Sequence, residues 1–150
     1  MQYKILIGLA ALFGIFQFFR ATDNFARTIL GGQIVAIGLT FVPNMTIVTV
    51  GFLLFMLTLI LTIIYGAKKK DFTTLKRALI IVPSAFLFVR YYLAIQHHPF
   101  VGLLSLLMII PIVACLIAIV TDFKSYKNEL GFLTIIAVDA TIKLTMYLSG

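Results

Sequence analysis

Residues 28–66 read TILGGQIVAIGLTFVPNMTIVTVGFLLFMLTLILTIIYG, 39 positions without one charged side chain. As a single α-helix this stretch would be about 58 Å long at ~1.5 Å per residue, nearly twice the ~30 Å hydrocarbon core of a bilayer. The chain must therefore turn inside it, and Pro43-Asn44 is the place. Proline lacks the backbone donor that a helix needs, and asparagine tolerates turn geometry. Two apolar helices joined by a tight turn make a membrane hairpin.

Working outward, comparable runs occupy residues 78–95, 100–121 and 131–148, and a shorter uncharged one covers residues 5–19. A spanning helix needs about 20 mostly apolar residues, with a range near 17–25. Tyr3, Phe18 and Phe19 extend the first run toward the interfaces. That run is read as a mature helix, because only Lys4 precedes it and Phe18-Phe19-Arg20 follows it without a small-x-small cleavage site. The expected fold is all-α: a single-domain polytopic membrane bundle of about six short transmembrane helices over residues 1–150. The count falls to five if residues 28–42 are re-entrant or lie in the interface.

Composition agrees with this reading. The chain is 62% apolar and 11% charged, against about 45–50% and 25% for soluble domains, which excludes a water-soluble globule. Twelve Lys and Arg face five Asp and Glu, for a net charge of +7. In a membrane chain such an excess decorates flanking loops, and no nucleic-acid partner is expected. Cys115 is the single cysteine, so an internal disulfide and thiol redox catalysis within the chain are excluded. No polar stretch is long enough to build a soluble domain.

With six spans, Arg20, Arg27, Lys68, Lys69, Lys70, Lys76, Arg77, Lys124 and Lys127 fall on one side, against Lys4 alone on the other. The positive-inside rule makes the rich side cytoplasmic and puts both ends of the chain outside. Five spans also leave the loop from Lys68 to Arg77 in the cytoplasm. The expected location is a bacterial inner (cytoplasmic) membrane. Tryptophan is absent, so Tyr3, Tyr65, Tyr91, Tyr92, Tyr126 and Tyr147, all near expected helix ends, are read as the interfacial aromatic belt.

Few residues invite chemistry, and no catalytic set, cofactor site or metal site is legible. His97 and His98 are adjacent in a short turn closed by Pro99; metal and haem sites need side chains that converge. Asp139 and Lys143 are four residues apart inside an apolar run, so they share a helix face in the favourable order. An unpaired charge there would cost about 2.5–3.5 kcal/mol on insertion scales, and an intramembrane ion pair is expected. A proton or ion relay is the functional alternative. Arg90, near the end of its helix, is expected to snorkel beside Tyr91 and Tyr92, with binding of an anionic headgroup or a quinone carbonyl as the functional alternative. Small-residue pairs at spacing four (Ala10/Gly14, Gly32/Ala36, Ala114/Ala118) and the stripe Ala137, Thr141 and Thr145, with Thr134 close by, are expected to pack against other helices. Pro83 and Pro111 should kink the helices that contain them.

Two resemblances arise. Arg20-Ala21-Thr22-Asp23-Asn24 resembles the start of the Arg-Ala-x-x-Asn-x-x-Glu motif of the glutathione-linked MAPEG membrane enzymes, with Arg27 at the position of the glutamate. Residues 32–65, a glycine-rich helix, a proline turn and a long apolar helix, resemble the central hairpin of DoxX-like small membrane proteins over about a quarter of the chain. That second resemblance implies a role beside quinone-linked redox chemistry. Gln33 stands near the family's frequent glutamate, retaining polar contact but no proton-bearing carboxylate. Three functional expectations follow. The first is a non-catalytic subunit or partner in a larger membrane assembly, in contact with the lipid bilayer and with another membrane protein or a second copy of itself. The second is a DoxX-like redox-associated protein. The third is a small ion or proton transporter or channel using Asp139 and Lys143.

Overall fold

Apolar runs of this length leave the backbone one economical way to satisfy its own hydrogen bonds, the α-helix. The structure, a computed structural model, describes residues 2–122 and 124–149 and contains no strand among them. The helices are α1 (Gln2–Arg20), α2 (Asn24–Thr40), α3 (Met45–Lys68), α4 (Thr74–Ile95), α5 (Val101–Leu106), α6 (Ile109–Asp122) and α7 (Leu130–Ser149). Five spans, with α5 and α6 counted together as one, are long and apolar enough to cross a membrane. The remaining helix, α2, has 17 residues.

Local chemistry sets the helix ends. Asp23 caps α2 by accepting from the N–H groups of Phe25 and Ala26, and Asn44 caps α3 by accepting from those of Thr46 and Ile47. The expected turn at Pro43-Asn44 is present, and its asparagine has this second task. At the far end of α4, His97 adopts a left-handed backbone with φ 52°. The N–H of His97 donates to Ala94 O and that of His98 to Leu93 O, the paired bonds of a Schellman C-cap. The two histidines thus finish a helix.

Pro111 does more than kink its span. It has no N–H to give Leu107 O, and its ring crowds that carbonyl. The helix stops at Leu106, Leu107 O accepts from Ile110 N instead, and α6 begins at Ile109. The expected single helix over 100–121 is therefore two. Pro83 lies inside α4, which runs unbroken.

Contacts between helices give the alternation. Gly14 of α1 lies against Leu30 and Ile34 of α2 and Ile135 of α7. Gly8 near the start of α1 lies against Phe41, just beyond the end of α2. Gly51 of α3 sits where a Cβ would come 2.8 Å from Ala36 O, so its missing side chain lets α2 and α3 touch backbone to backbone. Gly66 of α3 meets Ile80 and Ile81 of α4. Each successive rod is thus antiparallel to the one before, and Pro43-Asn44 lies at the end opposite the loop from Lys68 to Arg77.

The centre is α7. Half of its apolar window is buried, against a third or less for the other four spans. It packs on α1, α2, α4, α5 and α6. Phe132, Ile135, Ile136 and Ala140 are fully enclosed, and Gly131 admits Leu30 and Gln17 at close range. Of the stripe of Ala137, Thr141 and Thr145, Ala137 packs against the core as expected and the two threonines do not. Thr141 and Thr145 are exposed, and their hydroxyls donate to carbonyls of α7 itself.

Candidate functional site

The tyrosines are the main departure from the expected arrangement. Tyr65, Tyr91 and Tyr126 are not interfacial anchors; all three are buried. A buried phenol needs a partner for its O–H, and two of these find a carboxylate on or beside α7. Tyr91 donates to Asp139 Oδ2 at 2.6 Å. Tyr65 donates to Glu129 Oε1 at 2.8 Å. Each carboxylate also faces a lysine: Lys143 Nζ lies 3.9 Å from Asp139 Oδ1, and Lys76 Nζ lies 3.1 Å from Glu129 Oε2.

Around the first of these groups lies a cavity of about 400 Å³, within the size range of sites that hold small organic ligands. It opens among α1, α2, α3, α4 and α7 at the end of the bundle that carries Pro43-Asn44. Its walls are apolar, with Ile7, Ile37, Phe52, Phe55 and Ile142, while Lys4, Thr40, Tyr91, Asp139 and Lys143 supply the polar lining. Phe52 and Phe55 set edges against the ring of Tyr91 at 5.1 and 6.0 Å between centroids. The Lys143 ammonium sits 5.3 Å over the same ring. At 3.9 Å its approach to Asp139 is an ion pair but too long for a hydrogen bond. Lys143 lines the cavity, and its ammonium has donor capacity to spare.

Arg90 lies over the ring of Tyr91, 5.9 Å from its centroid. Its Nε donates to Ser105 Oγ at 3.0 Å, tying α4 to the short helix α5, and Ser105 is buried. Gln33 is fully buried on α2, and both atoms of its amide lack a hydrogen-bond partner among the described residues. It is one turn deeper than the cavity residues Ala36 and Ile37.

The second group belongs to a polar clasp at the other end. Lys69 bonds Asp23, linking the end of α3 to the cap of α2. Asn128 Oδ1 accepts from the N–H of Thr22 at 2.8 Å, Arg27 Nε donates to Phe18 O, and Arg77 donates to Lys69 O. Partial burial works to raise the pKa of Asp23, but the hydrogen bonds and charge of Lys69, with the N–H groups of Ala26 and Phe25, overcome it and hold the carboxyl below its ordinary value. The hydrogen bond to Asp23 raises the pKa of Lys69. The stretch from Arg20 to Asn24 with its MAPEG-like pattern is this corner between α1 and α2. Arg20 lies over the ring of Phe16 and Asp23 caps a helix.

Glu129 was not legible as a site residue. It reads as one more loop charge until Tyr65 and Lys76 come beside it. The only signal for it is that it stands immediately before an apolar run in a chain with five acidic residues. No group of three or more His, Cys, Asp or Glu side chains able to hold a metal occurs among the described residues.

Helical packing, five span-length apolar helices and a small polar interior define the class: a small helical-bundle protein of the membrane-integral type. Comparison with known protein families, curated proteins and solved structures gives no match to this chain.

Proposed function

We propose that this is a small integral membrane protein that holds an amphipathic molecule with an anionic head in the cavity beside Asp139 and Lys143. The observation that carries this reading is the lining: two ammonium groups, Lys4 and Lys143, and one carboxylate at the mouth of an otherwise apolar chamber. The Asp139 charge balances Lys143 and leaves Lys4 to favour an anion. Aromatic and branched side chains receive the tail, and Lys4, Lys143 and the Thr40 hydroxyl receive the head. With α2 as a sixth crossing and the loop from Lys68 to Arg77 in the cytoplasm, as the positive-inside rule favours, this cavity would face the outer leaflet of a bacterial inner membrane.

Native mass spectrometry of the chain released from micelles tests it, with phosphatidylglycerol offered against phosphatidylcholine of the same acyl chains. Retention of phosphatidylglycerol that is lost in the Lys4→Gln/Lys143→Gln variant supports the reading. Equal retention of both lipids overturns it. The DoxX-like alternative puts a quinone in the same chamber, and an organic extract with a quinone absorbance would favour it.

The reading as a subunit of a larger assembly has its own observation. Between α6 and α7 a lipid-facing groove of about 200 Å³ is lined by Cys115, Ala118, Thr134, Ala137 and Thr141. Small and hydroxyl side chains are what a second transmembrane helix packs against, so this groove would seat a helix of a partner protein. Filling it with Ala137→Phe should dissociate any partner that co-purifies, and an unchanged complex would exclude the groove.

A further inference from the structure

We propose that the bundle interior is a proton path running from the cavity at Asp139 to Glu129 at the opposite end. The placement begins on α7. Asp139 and Glu129 are ten positions apart, about 15 Å at ~1.5 Å per residue. Both are buried, and each accepts from a tyrosine hydroxyl. Between them α7 carries one polar side chain, Thr134, which lines the groove toward α6, and the neighbouring helices supply the other polar groups.

On α3 the residues Thr58, Thr62 and Tyr65 follow the i, i+4, i+7 spacing of one helix face, and all three are buried. One turn before Thr58, Phe55 lines the cavity, and at the far end Tyr65 reaches Glu129. This face therefore runs from one carboxylate to the other. Gln33 completes it. Its neighbour Gly32 lies against Thr58, and the next residue, Ile34, shares the level of Ile135, because Gly14 touches both. That level falls between Glu129 and Asp139.

Gln33 is 0% exposed, with no partner for its amide oxygen or nitrogen among the described residues. An unpaired buried amide is costly, and a leucine would fill the same place without that cost. A group that can donate on one side and accept on the other is what orients a water there. Thr58 and Thr62 donate to Phe55 O and Thr58 O, which leaves each hydroxyl free to accept. Such groups can hold single waters in the intervals that are too long for direct bonds.

The transfer balances. A proton from the cavity converts the Asp139 carboxylate to the acid. It passes along waters held in place by the Gln33 amide and the threonine hydroxyls to Glu129. Glu129 then releases one proton on the side of Lys76 and Ser125. Only O–H bonds form and break, and the membrane potential or pH difference drives the flow. The charged groups that face the route include Lys143, with Lys4 across the cavity and Arg90 over Tyr91, at the first carboxylate, and Lys76 at the second. The path needs no occupant in the cavity, so it stands apart from the lipid-binding reading.

The test is proton flux into liposomes holding the purified chain and an internal pH dye, driven by a potassium diffusion potential. The wild-type chain should acidify the interior faster than protein-free liposomes. Glu129→Gln and Asp139→Asn should abolish the difference. Gln33→Leu should fold with equal or greater thermal stability yet slow the flux about tenfold, the change produced by a barrier rise of about 1.4 kcal/mol. A wild-type rate equal to that of empty liposomes overturns the proposal. So does a Gln33→Leu chain that conducts like the wild type.

Discussion

Replacing Lys76 by methionine removes the cation from the best-enclosed ion pair among the described residues while keeping an unbranched stem of similar length. The pair is 3.1 Å long, and the side chains of Lys76 and Glu129 are 11% and 1% exposed. At that distance the Coulomb attraction is about 5 kcal/mol for an effective dielectric constant near 20. Part of it offsets the cost of withdrawing both charges from water, so the attraction is not the net worth of the pair. Removing one partner is another matter, because it strands the other charge, and such breaks cost about 3–5 kcal/mol. Lys76 also donates to Ser125 O and stands 4.4 Å over the ring of Phe72, so the loop before α7 loosens as well. Lys76→Met should therefore lose about 3–5 kcal/mol. Adding Glu129→Gln, which keeps an acceptor for Tyr65, should restore more than half of it. Reversible unfolding in mixed micelles, followed by far-ultraviolet circular dichroism, gives both values. A Lys76→Met loss below about 1 kcal/mol, the ordinary worth of an exposed pair, would refute the reasoning. Strictly additive single variants would refute it equally.

Two glycines offer a matched pair. Gly51→Ala puts a Cβ 2.8 Å from Ala36 O and should cost about 1–3 kcal/mol by forcing α2 from α3. Gly38→Ala meets nothing within 4 Å and should stabilise by up to about 1 kcal/mol through helix propensity; melting temperatures in one detergent compare them. The Asp23–Lys69 clasp should be acid-sensitive. The folded pKa of Asp23 is depressed, so its contribution is full above the ordinary value of 3.8 and fades as pH falls through the lower folded value. Lys69 is raised, so its contribution is full below 10.5 and fades only as pH climbs through the higher folded value. Asp23→Asn should flatten the acid limb of a stability-against-pH curve, and an unchanged limb would assign it to other groups.

Much of the architecture was readable from hydropathy. The apolar runs, the turn at Pro43-Asn44 and the gathering of basic loops at one end all depend on neighbours in sequence, and patterns of that kind survive without tertiary information. What escaped depends on distance. Asp139 and Lys143 could be paired because a helix brings residues four apart together. Tyr91 lies 48 positions from Asp139, and Tyr65 lies 64 from Glu129. Only the order in which the rods assemble makes them neighbours. Tyrosine near a helix end fits an interfacial belt and a buried donor equally well. The break before Ile109 escaped for a different reason: apolar composition continues across it, and only the loss of one backbone donor at Pro111 interrupts the helix.

The central place of α7 bears on how the chain comes to be folded inside a bilayer. During synthesis α1 leaves the ribosome more than a hundred residues before the helix against which Gly14 and Gln17 rest. Until α7 arrives, α1 is in place without its largest neighbour, and Tyr91 and Tyr65 have no carboxylate to meet. The α2–α3 hairpin can close early because its two halves are adjacent in sequence, whereas the bundle as a whole cannot. Assembly is then a late event, and truncations short of Leu130 should be targets for membrane quality control even though every helix before that point is intact.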